Sequence, residues 1–353
     1  MKKRTYVLGA LLLLIAVLFA ISWSWTYTPH GRLDYRAALT LKLLSFEATI
    51  QPQPDSDFEI TMPVNLAYGL SDKLPPEKVS RTEDLSIETD DGRTIPARVY
   101  WPADFERDAP PPPVTLYVHG GGFVVGSIDI FDQLTRSVAN ATATIVISVD
   151  YRLAPTHPYP AAVDDCYASL LWLADHAQRL GGDPSRLIVA GDSAGAHLAA
   201  VTALRAREEA GPELSAQVLY YPAADLTDAH YDSLEKFGDG YGMSSASTAV
   251  FRTSYVGHVT DRREPYISPL YAHSHEGLPP ALVVTAGFDP LVDLGRAYAA
   301  KMKDSGVAVT EVHYPSMIHG FMSVRLFSQR RQALNETARF LEQVFNPTGS
   351  TPL

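Results

Sequence analysis

The chain has 353 residues, of which 46% are hydrophobic and 20% charged, a composition that supports a packed globular core. Its 29 basic and 40 acidic side chains give a formal net charge of −11, and no basic block follows the first four residues, which argues against nucleic-acid binding. The one cysteine, Cys166, excludes an intramolecular disulfide and is expected to be buried. No Cys/His cluster has zinc-ligand spacing, so we expect no metal.

The first 28 residues differ in kind from the rest. Basic residues 2–4 precede an uncharged run over 6–25, about 20 residues long, which is enough for one helix to cross a hydrocarbon core. Aromatic residues over 23–27 are typical of a membrane interface and favour an uncleaved anchor, with the remainder outside the cytoplasm. A cleaved signal peptide is the alternative, although Ala20-Ile21-Ser22 is a poor cleavage site. A buried soluble helix would usually show a polar face.

Strand patterns begin after a segment with no catalytic pattern. Residues 29–80 hold a helical pattern over 35–46 and proline-rich connections. Two strand patterns, 82–88 and 95–100, then flank Asp90-Asp91-Gly92, which indicates a β-hairpin.

Short apolar strand patterns then alternate with amphipathic helical patterns. Strands are predicted over 114–118, 145–149, 187–190, 217–221, 281–286 and 307–314, and helices over 133–140, 161–179, 194–209, 294–304 and 329–344. Uninterrupted apolar strands between helices indicate an α/β fold whose mainly parallel sheet is covered on both faces. The alternation fails over about 225–265, where an insertion could pack with residues 29–80 as a cap.

Ser193 stands in Gly191-Asp192-Ser193-Ala194-Gly195, between a predicted strand and the helix that begins at Ala194. A serine at this junction sits on a sharp turn, and glycines two residues to either side relieve the crowding. The turn projects the hydroxyl above the sheet edge, where the helix N-terminus favours developing negative charge. The pattern predicts a nucleophilic serine.

A serine hydroxyl is a poor nucleophile until a base takes its proton, and in folds of this kind the histidine follows the acid in the chain. His319 lies just past the last predicted strand and can reach the carboxyl edge of the sheet. His313 lies inside that strand, and His273 and His275 precede the penultimate strand. We therefore predict that His319 is the base.

The imidazole needs an acid that fixes its tautomer and stabilises its charged form. Asp289 follows the strand predicted over 281–286 through Gly287-Phe288, which places it at the carboxyl edge of the sheet. Asp293 is the alternative, four residues on and inside the next predicted helix. We predict Asp289.

The run His119-Gly120-Gly121-Gly122-Phe123 directly follows the strand predicted over 114–118. Consecutive glycines allow the backbone to approach a substrate and turn its N–H groups toward a developing oxyanion. Gly121, Gly122 and Ala194 are the predicted donors, and His119 is expected to organise the loop rather than transfer protons. An apolar substrate pocket is predicted from Phe123, Val124, Tyr221, Ile318 and Phe321, although such residues are also ordinary core.

Several motifs in one order resemble the hormone-sensitive-lipase-like family of α/β-hydrolases, the bacterial family IV esterases, over about residues 100–344. They are His119-Gly-Gly-Gly122-Phe123, Asp150-Tyr151-Arg152-Leu153-Ala154-Pro155, Pro158-Tyr159-Pro160-Ala161-Ala162, Gly191-Asp-Ser-Ala-Gly195, Asp289-Pro290-Leu291-Val292-Asp293 and His319-Gly320-Phe321. The resemblance implies an α/β-hydrolase fold with a helical cap and hydrolysis of short-to-medium acyl esters through an acyl-enzyme on Ser193, with no cofactor. The partner is then a small-molecule ester.

Two residues depart from the family's pattern, which usually has glutamate where Thr156 stands and glycine where Ala196 stands. The first departure puts a hydrogen-bond network near the site in doubt, and the second is expected to be tolerated in a helix. The N-terminal helix together with these motifs also resembles, less specifically, the membrane-anchored arylacetamide deacetylases. Three alternatives stay open: an amidase or deacetylase on the same triad, a ligand-binding receptor on an inactive scaffold, and a membrane-anchored interaction module.

Overall fold

The computed structural model describes residues 2–43 and 74–347, with side chains over 13–42 and 74–347. The strands are β1 (Tyr27–Thr28), β2 (Gly31–Arg32), β3 (Arg81–Glu88), β4 (Thr94–Trp101), β5 (Val114–Val118), β6 (Ile145–Val149), β7 (Leu187–Asp192), β8 (Leu214–Tyr220), β9 (Ala281–Phe288) and β10 (Val309–Ile318). The helices are α1 (Lys2–Ser24), α2 (Tyr35–Leu43), α3 (Ile128–Thr142), α4 (Ala161–Leu180), α5 (Ala194–Glu208), α6 (Asp232–Phe237), α7 (Ser245–Val256), α8 (Val292–Asp304) and α9 (Ser328–Phe345). Short 3-10 helices span Pro269–Tyr271 and Phe321–Ser323.

Among the described residues, eight strands form one sheet in the order β10-β9-β8-β7-β5-β6-β4-β3. The six strands from β10 to β6 are parallel, and β4 and β3 extend the sheet in antiparallel pairing. The predicted mainly parallel sheet is confirmed, as is the hairpin of β3 and β4. All six parallel strands end at the same edge, so the segments that follow them meet there.

Alternate residues of the central strands feed two cores on opposite faces of the sheet. Leu187 and Val189 of β7 lie in one core with buried residues of α4, α5 and α8, whereas Ile188 and Ala190 lie in the other with residues of α2, α3 and α9. Because both faces are covered, strands such as β5 and β7 are buried along their whole length, and they are apolar except for Thr115 and Asp192.

Two elements have boundaries that differ from the predicted ones. Helix α3 begins five residues earlier than the predicted 133–140, because the side chain of Ser127 accepts the Ile130 amide and caps the helix. Strand β10 ends at Ile318 rather than at 314, because a bulge between Tyr314 and Ile318 interrupts the pairing with β9 around Pro315 before it resumes. The bulge carries β10 directly to His319.

The N-terminal segment contains α1, the small hairpin of β1 and β2, and α2. Ala37 and Ala38 of α2 are buried in the core that contains α9, and the Asp34 amide donates to the Ser316 carbonyl at 2.9 Å. By contrast, large apolar side chains of α1 are exposed, among them Leu13 at 67%. Within residues 2–43 and 74–347, none of the helices combines the length and the hydropathy that a membrane crossing requires.

The segment between β8 and β9 departs from the helix-strand alternation, as the sequence predicted, and contains α6 and α7. Tyr255 and Val256 of α7 are buried in the core that contains α5. Of the two stretches predicted to form a cap, 225–265 is described throughout, whereas residues 44–73 of the other lie outside the described residues. The cap as a functional unit therefore stays a prediction.

Candidate active site

Ser193 occupies a sharp turn between β7 and α5. Its backbone has φ 55° and ψ −121°, a conformation that residues with side chains rarely adopt and that the surrounding packing must hold. The Ser193 amide donates to the Tyr220 carbonyl at 2.8 Å, which fixes the turn to the neighbouring strand β8. A strained serine on a strand-to-helix turn is the geometry of a hydrolase nucleophile.

Glycines allow this turn to pack against backbone on both sides. A Cβ atom on Gly191 would lie 2.4 Å from the Gly195 carbonyl oxygen, and a Cβ atom on Gly195 would lie 2.0 Å from the Val118 carbonyl oxygen. Neither residue has a positive φ angle, so the demand for glycine is one of space rather than of backbone conformation. We call residues 191–195 the nucleophile turn.

His319 and Asp289 form a hydrogen-bonded chain with Ser193. The Nε2 atom of His319 lies 2.9 Å from the Oγ atom of Ser193, and its Nδ1 atom lies 2.9 Å from the Oδ2 atom of Asp289. The other oxygen of Asp289 accepts the Leu291 amide at 2.7 Å, which orients the carboxylate. With the Nδ1 proton directed at the carboxylate, Nε2 is free to accept the proton of the serine hydroxyl.

The topology explains why three residues so far apart in the chain meet. Ser193, Asp289 and His319 follow β7, β9 and β10, which all end at the same edge of the sheet. The ends of β9 and β10 approach closely, since a Cβ atom on Gly287 would lie 2.2 Å from the Pro315 carbonyl oxygen.

The surroundings of His319 favour its protonated form. Its side chain is 13% exposed, and Asp289 is completely buried. Burial by itself lowers the pKa of the imidazole, but the charge and hydrogen bond of Asp289, with a further contribution from Asp192, outweigh burial and raise that pKa. A raised pKa strengthens His319 as a base toward the serine proton.

The alternative acid, Asp293, is placed elsewhere. It lies in the first turn of α8, where its Oδ2 atom accepts the Ser233 amide at 2.9 Å and thereby joins α8 to α6. The structure brings Asp289, and not Asp293, to the imidazole of His319.

The glycine loop after β5, residues 119–125, is called the oxyanion loop. Gly121 and Gly122 have φ angles of 121° and 62°, which glycine adopts far more readily than other residues. A Cβ atom on Gly121 would lie 1.9 Å from the Val125 carbonyl oxygen. Among the described residues, no backbone carbonyl accepts the N–H of Gly121 or of Gly122. These N–H groups are therefore free to bind an oxyanion, together with that of Ala194 at the N-terminus of α5.

His119 packs inside the protein rather than facing a substrate. Its ring stacks between Tyr151 and Phe131, and its Nδ1 atom lies 2.8 Å from the Gly120 carbonyl oxygen. Burial lowers the pKa of His119 to about 4, which keeps the ring neutral at physiological pH. The hydroxyl of Tyr151 donates to the His119 carbonyl at 2.9 Å, so this pair holds the base of the oxyanion loop.

The residues predicted to line a substrate pocket are all buried and fall into two groups. Tyr221, Ile318 and Phe321 lie in the core that contains α9, with the Tyr221 ring 4.8 Å from the His319 ring. Phe123 and Val124 belong to the opposite core. Tyr221 and Phe321 pack against each other at 5.7 Å, so these two also serve as ordinary core residues.

Sequence reasoning missed Phe251 of α7. A Cβ atom on Gly122 would lie 2.4 Å from the Phe251 ring, so this half-buried ring packs against the oxyanion loop at Gly122. One turn further along α7, Tyr255 stacks on Phe123 with ring centroids 4.0 Å apart. The i, i+4 spacing of Phe251 and Tyr255 was the sequence feature that could have predicted these contacts. It lies, however, in the segment where strands and helices do not alternate.

The two residues that depart from the family's motifs lie outside the chain of Ser193, His319 and Asp289. Thr156 is exposed, and nearby Arg152 forms a salt bridge with the buried Asp165 at 2.8 Å. Ala196 is buried within α5. No group of three or more histidine, cysteine, aspartate or glutamate side chains in the described part of the chain is arranged to hold a metal ion.

Comparison with known proteins finds similarity to an α/β-hydrolase family and to ester hydrolases. The profile of Abhydrolase_3, a family with the α/β-hydrolase fold, matches residues 115–323. Carboxylesterase NlhH of Mycobacterium tuberculosis is 39% identical over 259 residues, which cover 72% of this chain and 80% of that protein. Ethyl acetate hydrolase of Pseudomonas putida is 40% identical over 242 residues, or 68% and 75% of the two chains.

A solved structure agrees with these similarities over more of the chain. The hyperthermophilic esterase of the archaeon Pyrobaculum calidifontis superposes with a TM-score of 0.80 at 37% identity. The match covers 89% of this chain and 99% of that one.

Proposed function

The chain belongs to the Abhydrolase_3 family of α/β-hydrolases, and on that basis we infer that it is a serine carboxylesterase. The resemblance to hormone-sensitive-lipase-like esterases that its motifs predicted is confirmed. The enzyme hydrolyses carboxylic esters of short-to-medium acyl chains through an acyl-enzyme. The assignment of roles to particular residues is our proposal and is supported by the geometry at the sheet edge.

The first half of the proposed reaction forms the acyl-enzyme. His319 takes the proton of Ser193 across their 2.9 Å hydrogen bond while Oγ attacks the ester carbonyl carbon. Asp289 stabilises the imidazolium that forms and does not itself become protonated. His319 then gives its proton to the departing alcohol, and the acyl group stays on Ser193.

The second half repeats the sequence with water. His319 removes a proton from water, the hydroxide attacks the acyl carbonyl, and the proton returns to Ser193 as the acid leaves. In both halves the N–H groups of Gly121, Gly122 and Ala194 bind the tetrahedral oxyanion. Each lost donor of this kind costs about 3 kcal/mol of transition-state stabilisation.

One observation carries this proposal: the strained Ser193 lies in a continuous hydrogen-bonded chain with His319 and Asp289. The test is reaction of the purified protein with a fluorophosphonate probe, combined with hydrolysis of p-nitrophenyl butyrate. We expect one equivalent of label per chain, located on Ser193, and loss of turnover in proportion to labelling. A folded protein that neither labels nor hydrolyses the ester would instead favour a receptor or an interaction module.

The preference for esters over amides is tested separately. A matched pair of phenyl ester and anilide with the same acyl group isolates the leaving group. The proposed carboxylesterase hydrolyses the ester much faster. Comparable rates on the anilide would point to an amidase or deacetylase that uses the same triad.

We further propose that α7 forms part of a cap that limits the size of the substrate. Phe251 lies against Gly122, and Tyr255 stacks on Phe123, so α7 contacts two residues of the oxyanion loop. A substrate carbonyl bound there has the Phe251 ring as its neighbour. A series of p-nitrophenyl esters of increasing acyl length, run on the wild type and on Phe251→Ala, tests this proposal. The variant is expected to accept bulkier acyl groups, and an unchanged preference would contradict it.

For the N-terminal helix we propose attachment to a membrane, with the catalytic part outside the cytoplasm. The sequence supplies basic residues 2–4 and the uncharged run over 6–25. Leu14, Phe19 and other large apolar side chains of α1 are exposed. At the end of the helix the Arg32 guanidinium lies 4.6 Å from the Trp23 ring, a pairing suited to a membrane interface. Export with signal cleavage is the alternative, which the mass of the mature chain would distinguish.

A further inference from the structure

Asp192 is a buried carboxylate that immediately precedes Ser193, and the triad makes no direct use of it. Its Oδ1 atom accepts two hydrogen bonds, from the Tyr117 hydroxyl at 2.8 Å and from the Gly120 amide at 3.1 Å. Tyr117 belongs to β5, and Gly120 is the first of the three glycines in the oxyanion loop. One side chain therefore joins the nucleophile turn to the loop that supplies two predicted oxyanion donors.

The position of this side chain follows from the way the strands end. β5 and β7 pair in parallel up to Val118 and Gly191, where the strand pairing ends. Beyond that point no carbonyl of β7 is paired with the Gly120 amide, and the Asp192 carboxylate accepts the hydrogen bond of that amide. The contact is close, because a Cβ atom on Gly120 would lie 2.6 Å from Asp192 Oδ2.

We propose that Asp192 is a positioning residue: as a carboxylate, it holds the oxyanion loop in register with Ser193 for ester hydrolysis. This inference rests on the proposed function of the site. A hydrogen bond to a charged acceptor is shorter and roughly twice as strong as one to a neutral acceptor. The negative charge of Asp192 therefore restricts the Gly120 backbone, and through it the N–H groups of Gly121 and Gly122.

The titratable groups that interact with Asp192 lie on the two neighbouring strands and in the segments that follow two other strands of the sheet. They are Tyr117 on β5, Tyr151 after β6, Tyr220 on β8 and His319 after β10. Burial, with each tyrosine's interaction with Asp192 adding to it, raises the pKa of all three tyrosines, so they stay protonated and Tyr117 remains a donor. His319 acts in the opposite sense and favours the carboxylate.

Burial raises the pKa of Asp192 to about 6, because the hydrogen bonds from Tyr117 and Gly120 offset only part of the desolvation. The carboxylate therefore takes up a proton near pH 6, where it becomes a weaker acceptor. His319 must be neutral to act as a base, so its protonation, at a pKa that Asp289 raises against the effect of burial, also removes activity as the pH falls. Activity is then expected to fall with acid more steeply than one protonation allows.

The test compares full-length wild type with Asp192→Asn, which keeps the shape and the Oδ1 acceptor but removes the charge. Rates of p-nitrophenyl butyrate hydrolysis are divided by the number of sites that a fluorophosphonate titrates. We expect kcat per titrated site to fall about 10-fold at pH 8 with little change in KM. The acid side of the pH profile should become a single-proton curve in the variant.

A second pair of variants separates positioning from stability. Tyr117→Phe removes one of the two donors and should lower kcat by about 3-fold, because the bond to Gly120 remains. Asp165→Asn serves as the matched control, since Asp165 is also a fully buried carboxylate but pairs with Arg93 and Arg152 and makes no described hydrogen bond to the oxyanion loop. That control should unfold at a lower temperature yet keep the kcat of the wild type per titrated site.

The stability of Asp192→Asn gives an independent readout. The pKa of Asp192 is higher in the folded chain than its ordinary value, so its ionisation opposes folding above that range, and a neutral amide removes the penalty. The variant should therefore unfold at the same or a higher temperature at pH 8 while turning over more slowly. A wild-type kcat and pH profile in Asp192→Asn would overturn the inference, as would a loss explained wholly by fewer titratable sites. A wild type that hydrolyses no ester would instead overturn the proposed function.

Discussion

The carboxyl edge of the sheet and the N-terminal helix depart from the usual pattern of burial in opposite ways. At the sheet edge, charged or polar side chains such as Asp192, Asp289 and His119 are almost completely buried. In α1, apolar side chains such as Leu13 and Leu18 are more than half exposed. Buried polar groups and exposed apolar groups both need a reason, because each is unfavourable unless a partner is supplied.

The two regions differ in where the partner comes from. At the sheet edge every partner is internal: Asp289 has His319 and the Leu291 amide, and Asp192 has Tyr117 and Gly120. The exposed face of α1 finds no such partner within the described residues, and a lipid bilayer is the one we propose. Substitutions at the edge should therefore change the rate constant, whereas substitutions in α1 should change where the enzyme resides.

The largest effect on rate is expected from Ser193→Ala. Without the proposed nucleophile, kcat/KM for p-nitrophenyl butyrate should fall by ~10⁴-fold or more, while circular dichroism shows an intact fold. Ser148→Ala is the matched control, since Ser148 is buried in β6 and its Oγ makes no hydrogen bond with the described residues. Retention of most activity in Ser193→Ala would show that the sheet edge is not the reacting centre.

The next effect is expected from Asp289→Asn. The amide keeps the shape of the carboxylate but favours the wrong tautomer of His319, so kcat should fall by ~10³- to 10⁴-fold. Asp293→Asn is the natural comparison, because Asp293 joins α8 to α6 and does not contact His319 among the described contacts. If Asp293→Asn were the more damaging of the two, the assignment of the acid would be wrong.

A smaller loss is expected from Gly122→Ala. The new methyl group meets the Phe251 ring and displaces one oxyanion donor, so kcat should fall by ~10²- to 10³-fold. Gly92→Ala controls for the positive φ angle alone, since Gly92 has φ 80° and open space around its Cβ position in the hairpin of β3 and β4. Equal losses in the two variants would mean that backbone strain, rather than the oxyanion donor, explains the result.

The smallest effect on rate is expected in α1. In the doubly substituted chain Leu14→Lys, Leu18→Lys, hydrolysis of a water-soluble ester should match the wild type per titrated site. Membrane association should drop sharply, because each lysine costs about 2.5–3.5 kcal/mol in a membrane interior. Sedimentation with membranes measures the difference, and the pair Leu14→Val, Leu18→Val controls for side-chain size. An unchanged sedimented fraction in the lysine variant would refute the membrane proposal.

The same two regions show what a sequence can predict. The meeting of three side chains at the sheet edge was predictable because strands, turns and the proposed catalytic residues obey local rules: Ser193 lies between glycines, and Asp289 and His319 each follow a strand. The carboxyl ends of parallel strands lie at one edge of a sheet, so residues that directly follow such strands in the sequence lie close together in the fold. The two 2.9 Å hydrogen bonds of His319, to Ser193 and to Asp289, show that these side chains do meet.

Contacts between distant segments were harder to predict. Phe251 reaches Gly122 from a helix more than a hundred residues away, and no periodic pattern marks such a contact. Asp192 was visible inside the serine motif, but its bonds to Tyr117 and Gly120 depend on where the pairing of β5 and β7 ends, which a sequence does not specify. The start of α3 was also predicted incorrectly, because the helix begins at Ile128, directly after the capping Ser127, rather than at residue 133.

The most direct test of the account is to trap the acyl-enzyme. The enzyme is mixed with p-nitrophenyl acetate, quenched in acid within milliseconds, digested, and examined by mass spectrometry. We predict a stoichiometric burst of p-nitrophenol and an acetyl group on the peptide that contains Ser193. Ester turnover without an acetyl group on Ser193, or with the group on another residue such as Cys166, would contradict the account.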